Sequence, residues 1–175
     1  MLPADVGSRP RLADTPVTSA TLRDIGLFGA LSDDVLDRFS EGLRATWISA
    51  GDVVFREGDP AHSLFVLLEG EVEVVKKSRV AREHRVAILG PGDCFGEMSL
   101  IDVQPRSATV RAVAPSRVLQ VNSEDFDRLY RQDLKSYALV TLNIARDLSR
   151  RLRVVDRILA DIACSVVDPY GKPRD

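Results

Sequence analysis

The feature that most constrains this chain lies between Arg44 and Asn122, where short apolar runs alternate with period two and break repeatedly at glycine. "ATWISAGDVVFREGD" turns at Gly51-Asp52 and again at Gly58-Asp59. "SLFVLLEGEVEVVKK" sets Leu64, Val66 and Leu68 in alternation, then Val72 and Val74 with Glu71 and Glu73 on the opposite face. "RVAILGPGDCFGE" ends a strand in a Gly-Pro-Gly turn, and "SATVRAVAPSRVLQVN" supplies two more strands around Pro115. Alternation of this kind suits a pleated, half-buried strand and not a helix. Many short strands with turns at this spacing predict a β-roll or jelly-roll barrel, mainly β with helices at its ends.

The flanks read differently. Residues 1–19 are rich in Pro, Ser, Thr and small residues without a hydrophobic period, and are expected to be a flexible tail. The strand-rich unit is expected over residues 20–132. Ahead of its strands, Ser32 followed by Asp33 and Asp34 marks a helix start, with Val35, Leu36 and Phe39 forming one face. Ser123, with Glu124 and Asp125, begins another helix.

A long helix is predicted over 133–163, a span without glycine or proline, leaving 164–175 as a tail. In it Leu134, Ala138, Thr141, Ala145, Leu148, Leu152, Val155, Leu159 and Ile162 recur at spacings of four and three, a coiled-coil seam. A second face, Tyr137, Val140 and Ile144, occurs in the first half and is expected to pack on the barrel. The second half shows the seam, whose natural partner is another copy of the chain. Arg151 then falls at a g position and Asp156 at the next e position, where they would meet across a parallel homodimer.

Composition removes several function classes. A formal net charge of −2 over 175 residues makes no case for a dedicated nucleic-acid binder. Basic residues do outnumber acidic ones from Arg128 to Arg157, which reads as a solvated helix face or as a contact surface for an acidic partner. Cys94 and Cys164 are too few for an iron–sulfur cluster, and Cys94 reads as a small buried hydrophobe. His62 and His84 lack metal-ligand spacing, so no metal is expected. No apolar run is long enough to span a membrane, and the start has no signal-peptide core, so the expected location is cytoplasmic.

The chemistry concentrates in "FGEMSLIDVQPRSATV", Phe95 to Val110. Gly96 would let an anion approach the backbone closely, where a loop-to-helix junction exposes amides. Arg106 offers a forked, permanently charged set of donors suited to phosphate, and Ser107 and Ala108 follow with a hydroxyl and further amides. Glu97 is discordant, because a carboxylate beside a phosphate repels it. Either Glu97 and Arg106 close the loop as an ion pair, or they engage different parts of one ligand. A sugar hydroxyl donating to the carboxylate and a phosphate on the guanidinium together describe a ribonucleotide. Neither a GxxxxGK[ST] run nor a GxGxxG after a strand is present.

This stretch resembles the phosphate-binding cassette of the cyclic nucleotide-binding domain family, which includes catabolite-activator-type regulators, regulatory subunits of cyclic-nucleotide-dependent kinases and gated channels. "LFGALSDDVLDRF", "GDVVFREGDPAHSLFVLLEGEVEV" and "LGPGDCFGE" extend the likeness from about Thr21 to Ile162. The resemblance implies that Glu97 takes the ribose 2′-hydroxyl and Arg106 the cyclic phosphate. It also implies that Gly96, Met98 and Ser99 on one side and Ser107 and Ala108 on the other complete the anion site. Val86 and Leu89 would face sugar and base from the barrel.

Where the family's long helix covers the base, this chain matches with Val155 and Asp156. Asp156 could serve adenine, guanine or Arg151 of a partner helix. The family's cGMP-associated threonine after the cassette arginine is Ser107 here, and the expected regulatory ligand is cAMP, with cGMP the alternative. "CSVVDPYGKPRD" after Ile162 is too short for a helix-turn-helix, so direct DNA binding is not expected. No nucleophile–base pair suggests an enzyme. The reading is a stand-alone cyclic-nucleotide sensor acting on a protein effector through its C-terminal helix. The alternatives are a scaffolding dimer with a vestigial pocket and a fragment of a catabolite-activator-like transcription regulator.

Overall fold

The computed structural model describes residues 12–78 and 82–167. The described residues form two antiparallel sheets that face each other, with helices packed on the outside of one. The first sheet has the order β1 (Leu12–Pro16), β2 (Arg44–Ile48), β9 (Ser116–Asn122), β4 (Ser63–Glu69) and β7 (Cys94–Phe95). The second has the order β3 (Val53–Phe55), β8 (Thr109–Ala112), β5 (Val72–Lys77) and β6 (Glu83–Leu89). This is the β-roll that the glycine-punctuated alternation predicts.

Strand β4 shows why the roll holds together. Leu64 and Val66 point into a core shared with the helices, while Phe65 and Leu67 point into the core between the sheets. The alternation of β4 therefore separates two apolar environments, where a one-sided strand would separate apolar from polar. Phe65, Leu67, Val72, Leu89, Phe95, Val110 and Val118 fill the space between the sheets. Burying a side chain of this size contributes about 1.5–3 kcal/mol.

The helices close the other face. Helix α1 (Ser19–Arg23) is capped by Thr18, whose hydroxyl accepts from the Thr21 amide, and a 3-10 turn follows at Gly26–Phe28. Helix α2 (Asp33–Ser40) begins after Ser32 and buries Val35, Leu36 and Phe39, the predicted face. Helix α3 (Met98–Ile101) is a single turn between the sheets' edges. Helix α4 (Ser123–Gln132) starts in a capping box, with the Asn122 amide donating to Asp125. Helix α5 (Leu134–Val167) follows after Asp133, whose carboxylate accepts from the Ser136 amide and hydroxyl. Those bonds hold the Asp133 carboxyl below its ordinary value.

Two boundaries differ from expectation. Leu12–Pro16, assigned to a tail, is an edge strand paired with β2, and Thr15 donates its hydroxyl to the Ala45 carbonyl. Pro16 is tolerated there because an edge leaves one side of the ladder unpaired. The pairing is made with residues some thirty positions away, so local composition carries no sign of it. Residues 1–11 lie outside the described residues. At the other end, Cys164–Val167 belong to α5 and not to a tail, while residues 168–175 lie outside the described residues. Among the described residues no helix is long and apolar enough to cross a membrane.

Candidate functional site

Strand β7 pairs with β4 through Phe65–Phe95 and Val66–Cys94, which fixes where the chain leaves the sheet. Gly96 then turns it with φ of 77°, a left-handed conformation open to glycine at little cost. That turn delivers Glu97 to the start of α3, whose first bonds run from the Leu100 and Ile101 amides to the Glu97 carbonyl. The return segment is pinned independently. The Gly58 amide donates to the Arg106 carbonyl at 2.8 Å, and the Arg106 amide donates to the Asp59 carbonyl at 2.9 Å. Glu97 and Arg106 are thus anchored to different turns of the roll.

Between them lies a cavity of about 100 Å³. Gly96, Glu97, Met98, Ser99, Arg106, Ser107 and Ala108, all singled out from the sequence, line it. Phe55, Val74, Phe95 and Val110 complete an apolar wall that the sequence reading missed, and Arg151 enters from α5.

Glu97 is 4% exposed and Arg106 5% exposed, so both charges are buried. Arg106 is held in place by protein acceptors. Nη1 donates to the Ser63 carbonyl at 2.7 Å and to the Gly96 carbonyl at 2.9 Å, and Nη2 donates to the Ser63 hydroxyl at 3.0 Å. The guanidinium stacks over Phe55, 4.2 Å from the ring centroid, and its Nε is buried without a hydrogen-bond partner. Burial lowers the Arg106 pKa, opposed by Asp59 and Glu97. A buried donor without a partner carries a desolvation penalty, which an acceptor from a ligand would relieve.

Glu97 does not close the loop onto Arg106. Its ion-pair partner is Arg151, with Nη1 3.6 Å from Oε1. Arg151 also binds Asp147 at 2.8 Å one helical turn earlier, and donates to the Cys94 carbonyl. Burial pushes the Glu97 carboxyl above its ordinary value; its own backbone amide, Arg151 and Arg106 act in the opposite direction. Burial also pushes the Cys94 thiol up, consistent with an inert, apolar role.

Four residues named from the sequence stand apart from this cavity. Val86 is exposed on β6, and Leu89 is buried in the core between the sheets. Val155 and Asp156 are exposed on α5. Val86 faces out because Ala87 and Leu89 take the inward face of β6, while Val74, on the same face of β5 as Val72, lines the cavity. Arg151, assigned to a partner's Asp156, is instead engaged within its own chain. A periodic signal for it exists: Val140, Ile144, Asp147 and Arg151 are spaced four, three and four, so Arg151 continues the face that packs on the roll.

The arrangement offers a guanidinium and backbone amides on one wall, a carboxylate on another, and an aromatic floor. The family model described as "Cyclic nucleotide-binding domain" matches residues 45–133 of this chain. The chain belongs to the cyclic nucleotide-binding domain family.

Two of the relatives are a receptor protein and a transcriptional regulator. The cyclic AMP receptor protein of Thermus thermophilus is 34% identical over 130 residues, 74% of this chain and 58% of that protein. The CRP-like cAMP-activated global transcriptional regulator of Mycobacterium tuberculosis is 29% identical over 78% of this chain and 59% of its own length. The chain therefore spans a little under three-fifths of these curated relatives. Among solved structures, a cyclic nucleotide-binding domain from Methylobacillus flagellatus superposes with a TM-score of 0.73 at 29% identity, covering 81% of this chain and 80% of that one. Those matches agree with the fold and with a cyclic nucleotide-binding domain.

Proposed function

We propose that this cyclic nucleotide-binding domain is a non-catalytic sensor of a cyclic purine nucleotide, with cAMP preferred, and that it signals through α5. The observation that carries this reading is that Glu97 and Arg106 are buried on separate walls of one cavity while Arg151 ties Glu97 to the helix. The cyclic phosphate goes to Arg106, whose unpartnered Nε supplies a donor, and to the amides around Ser99 and Ser107. The ribose 2′-hydroxyl goes to Glu97. A hydroxyl arriving at Glu97 shares that carboxylate with Arg151, so occupancy changes the hold of the roll on α5. That is the differential interaction a ligand needs to shift two states. The names of the Thermus and Mycobacterium relatives support cAMP.

The output is self-association and effector binding through the distal part of α5, whose seam residues are exposed. Titration calorimetry with cAMP, cGMP and 5′-AMP tests the ligand. Micromolar or tighter binding of cAMP, lost in Arg106→Ala, is expected. No heat with any nucleotide, from folded protein verified free of co-purified nucleotide, would overturn the sensor reading. Unchanged hydrogen exchange along α5 at saturation would overturn the helix output.

One observation favours the scaffold alternative: Nη1 and Nη2 of Arg106 already donate to Ser63 and Gly96, as a purely structural arginine would. The same titration separates the two readings.

A further inference from the structure

Strand β4 opens with Ser63, which shares a face with Phe65 and Leu67 and so points between the two sheets. It is 6% exposed, a hydroxyl on a face that otherwise holds apolar side chains. A buried hydroxyl needs a partner, and Arg106 supplies it. The backbone on either side is fixed. The Ser123 amide donates to the His62 carbonyl at 2.9 Å, and Ser63 pairs with Asn122 across the ladder to β9.

Two oxygens of this one residue take one edge of the Arg106 guanidinium. The Ser63 carbonyl accepts from Nη1 at 2.7 Å and the Ser63 hydroxyl from Nη2 at 3.0 Å, which together make up the end-on edge of the fork. The Gly96 carbonyl takes the other Nη1 donor at 2.9 Å. A guanidinium carries five N–H donors. These three bonds leave over Nε–H, which has no partner, and one N–H of Nη2. The planarity of the group puts those two side by side on its side edge, where they can reach two oxygens of one phosphate. Phe55 at 4.2 Å and Phe65 at 5.5 Å set the plane.

The three acceptors have a second property in common: all are neutral. Among the described residues no carboxylate forms an ion pair with Arg106. Glu97 is taken by Arg151, and Asp59 and Glu97 act on Arg106 from farther away. Buried charges are normally paired, so support of the fold alone does not account for a buried fork held entirely by neutral oxygens.

We propose that Ser63 is the positioning residue for Arg106. It occupies the end-on edge without neutralising it, and so keeps the side edge and the whole charge available to a phosphate. The inference rests on the phosphate reading proposed above and adds which edge binds and what keeps that edge free.

Calorimetry of the full chain with cAMP tests it. Ser63→Ala keeps the carbonyl and removes the hydroxyl, and is expected to weaken binding about tenfold. Ser63→Thr returns the hydroxyl and is expected to restore affinity. Ser63→Asp separates positioning from mere support. Its carboxylate would pair with the fork, so its melting temperature is expected to exceed that of Ser63→Ala. Its cAMP affinity is nevertheless expected to fall by about a hundredfold, because a carboxylate there repels the phosphate. Stability and affinity that fall together in both Ser63→Ala and Ser63→Asp would reduce Ser63 to a packing residue and overturn the proposal. Unchanged affinity in these two variants would overturn it as well, while leaving the phosphate reading standing. A wild-type chain that binds no cyclic nucleotide would overturn that reading and this one with it. Should the variants misfold, the wild type still decides. The Arg106 Nε–H resonance in nitrogen-15 NMR is expected to shift downfield on saturation with cAMP. Bound cAMP that leaves this resonance in place would overturn the side-edge assignment.

Discussion

Arg151 Nη1 lies 3.6 Å from Glu97 Oε1, so a residue of the long helix reaches the carboxylate that faces the nucleotide cavity. Its Nη2 meanwhile bonds the Cys94 carbonyl and Asp147. One guanidinium therefore joins the helix, the edge strand and the cassette, and anything that competes for Glu97 is felt by α5.

Arg151→Ala should uncouple the two. Loss of this partly exposed pair is expected to cost about 1 kcal/mol of folding stability, more than a surface pair and less than a buried one. Hydrogen exchange of α5 should rise in the variant and no longer respond to nucleotide. An α5 that still responds fully to ligand in Arg151→Ala would rule out this connection.

Arg106→Ala should weaken cyclic nucleotide binding by about 2–5 kcal/mol, because the phosphate would be buried without its charge partner. Arg106→Lys should not restore it, since a single ammonium cannot serve Ser63, Gly96 and a phosphate at once. Calorimetry checks both. Affinity within a few-fold of wild type in Arg106→Ala would remove Arg106 from the site.

Gly96 and Gly58 offer an internal comparison. Gly96 has φ of 77° and Gly58 of 87°, so alanine at either position adds backbone strain of about 1–3 kcal/mol. At Gly58 a Cβ meets open space, whereas at Gly96 it would stand 2.4 Å from Arg106 Nη1. Gly58→Ala should therefore lose stability while keeping ligand affinity, and Gly96→Ala should lose both. Thermal melts with and without nucleotide distinguish the cases.

Glu97 sets a pH dependence. Burial raises its folded-state pKa, so the stability it contributes is fully present below the unfolded carboxylate value of about 4.3 and is lost as pH rises through the folded value. Relative to Glu97→Gln, wild type should therefore become less stable as pH rises from about 4 toward neutrality. Ligand affinity should run the other way, falling on acidification as the hydroxyl acceptor is protonated. Glu97→Gln should bind ribose and 2′-deoxy ligands alike and show no such pH profile. Equal pH profiles for wild type and Glu97→Gln would refute the assignment.

Much of this was written in local sequence. Alternation with period two and glycine at each reversal specify a roll, because these are properties of a strand and its turn and need no distant partner. The cassette was legible for the same reason. Gly96, Glu97, Arg106 and Ser107 lie on one continuous segment whose ends are set by neighbouring turns, and all of them line the cavity. The acidic start and apolar face of α2 were equally local.

Other features depend on what the chain meets after folding. Leu12–Pro16 became a strand because β2 offered it an edge. Phe55, Val74 and Val110 became cavity wall because β3, β5 and β8 pair side by side, a register that no single strand encodes. Val86 faces away from the site because Ala87 and Leu89 pack inward from β6. Arg151 is the clearest instance. Its helical position was visible in the sequence, but the same position faces both a partner helix and the roll. Sequence alone determined the elements and the chemistry of the cassette. Only the tertiary structure decided the partner of Arg151, because a long charged side chain takes the nearest buried counter-charge, and which one is nearest depends on how the helix lies across the sheet.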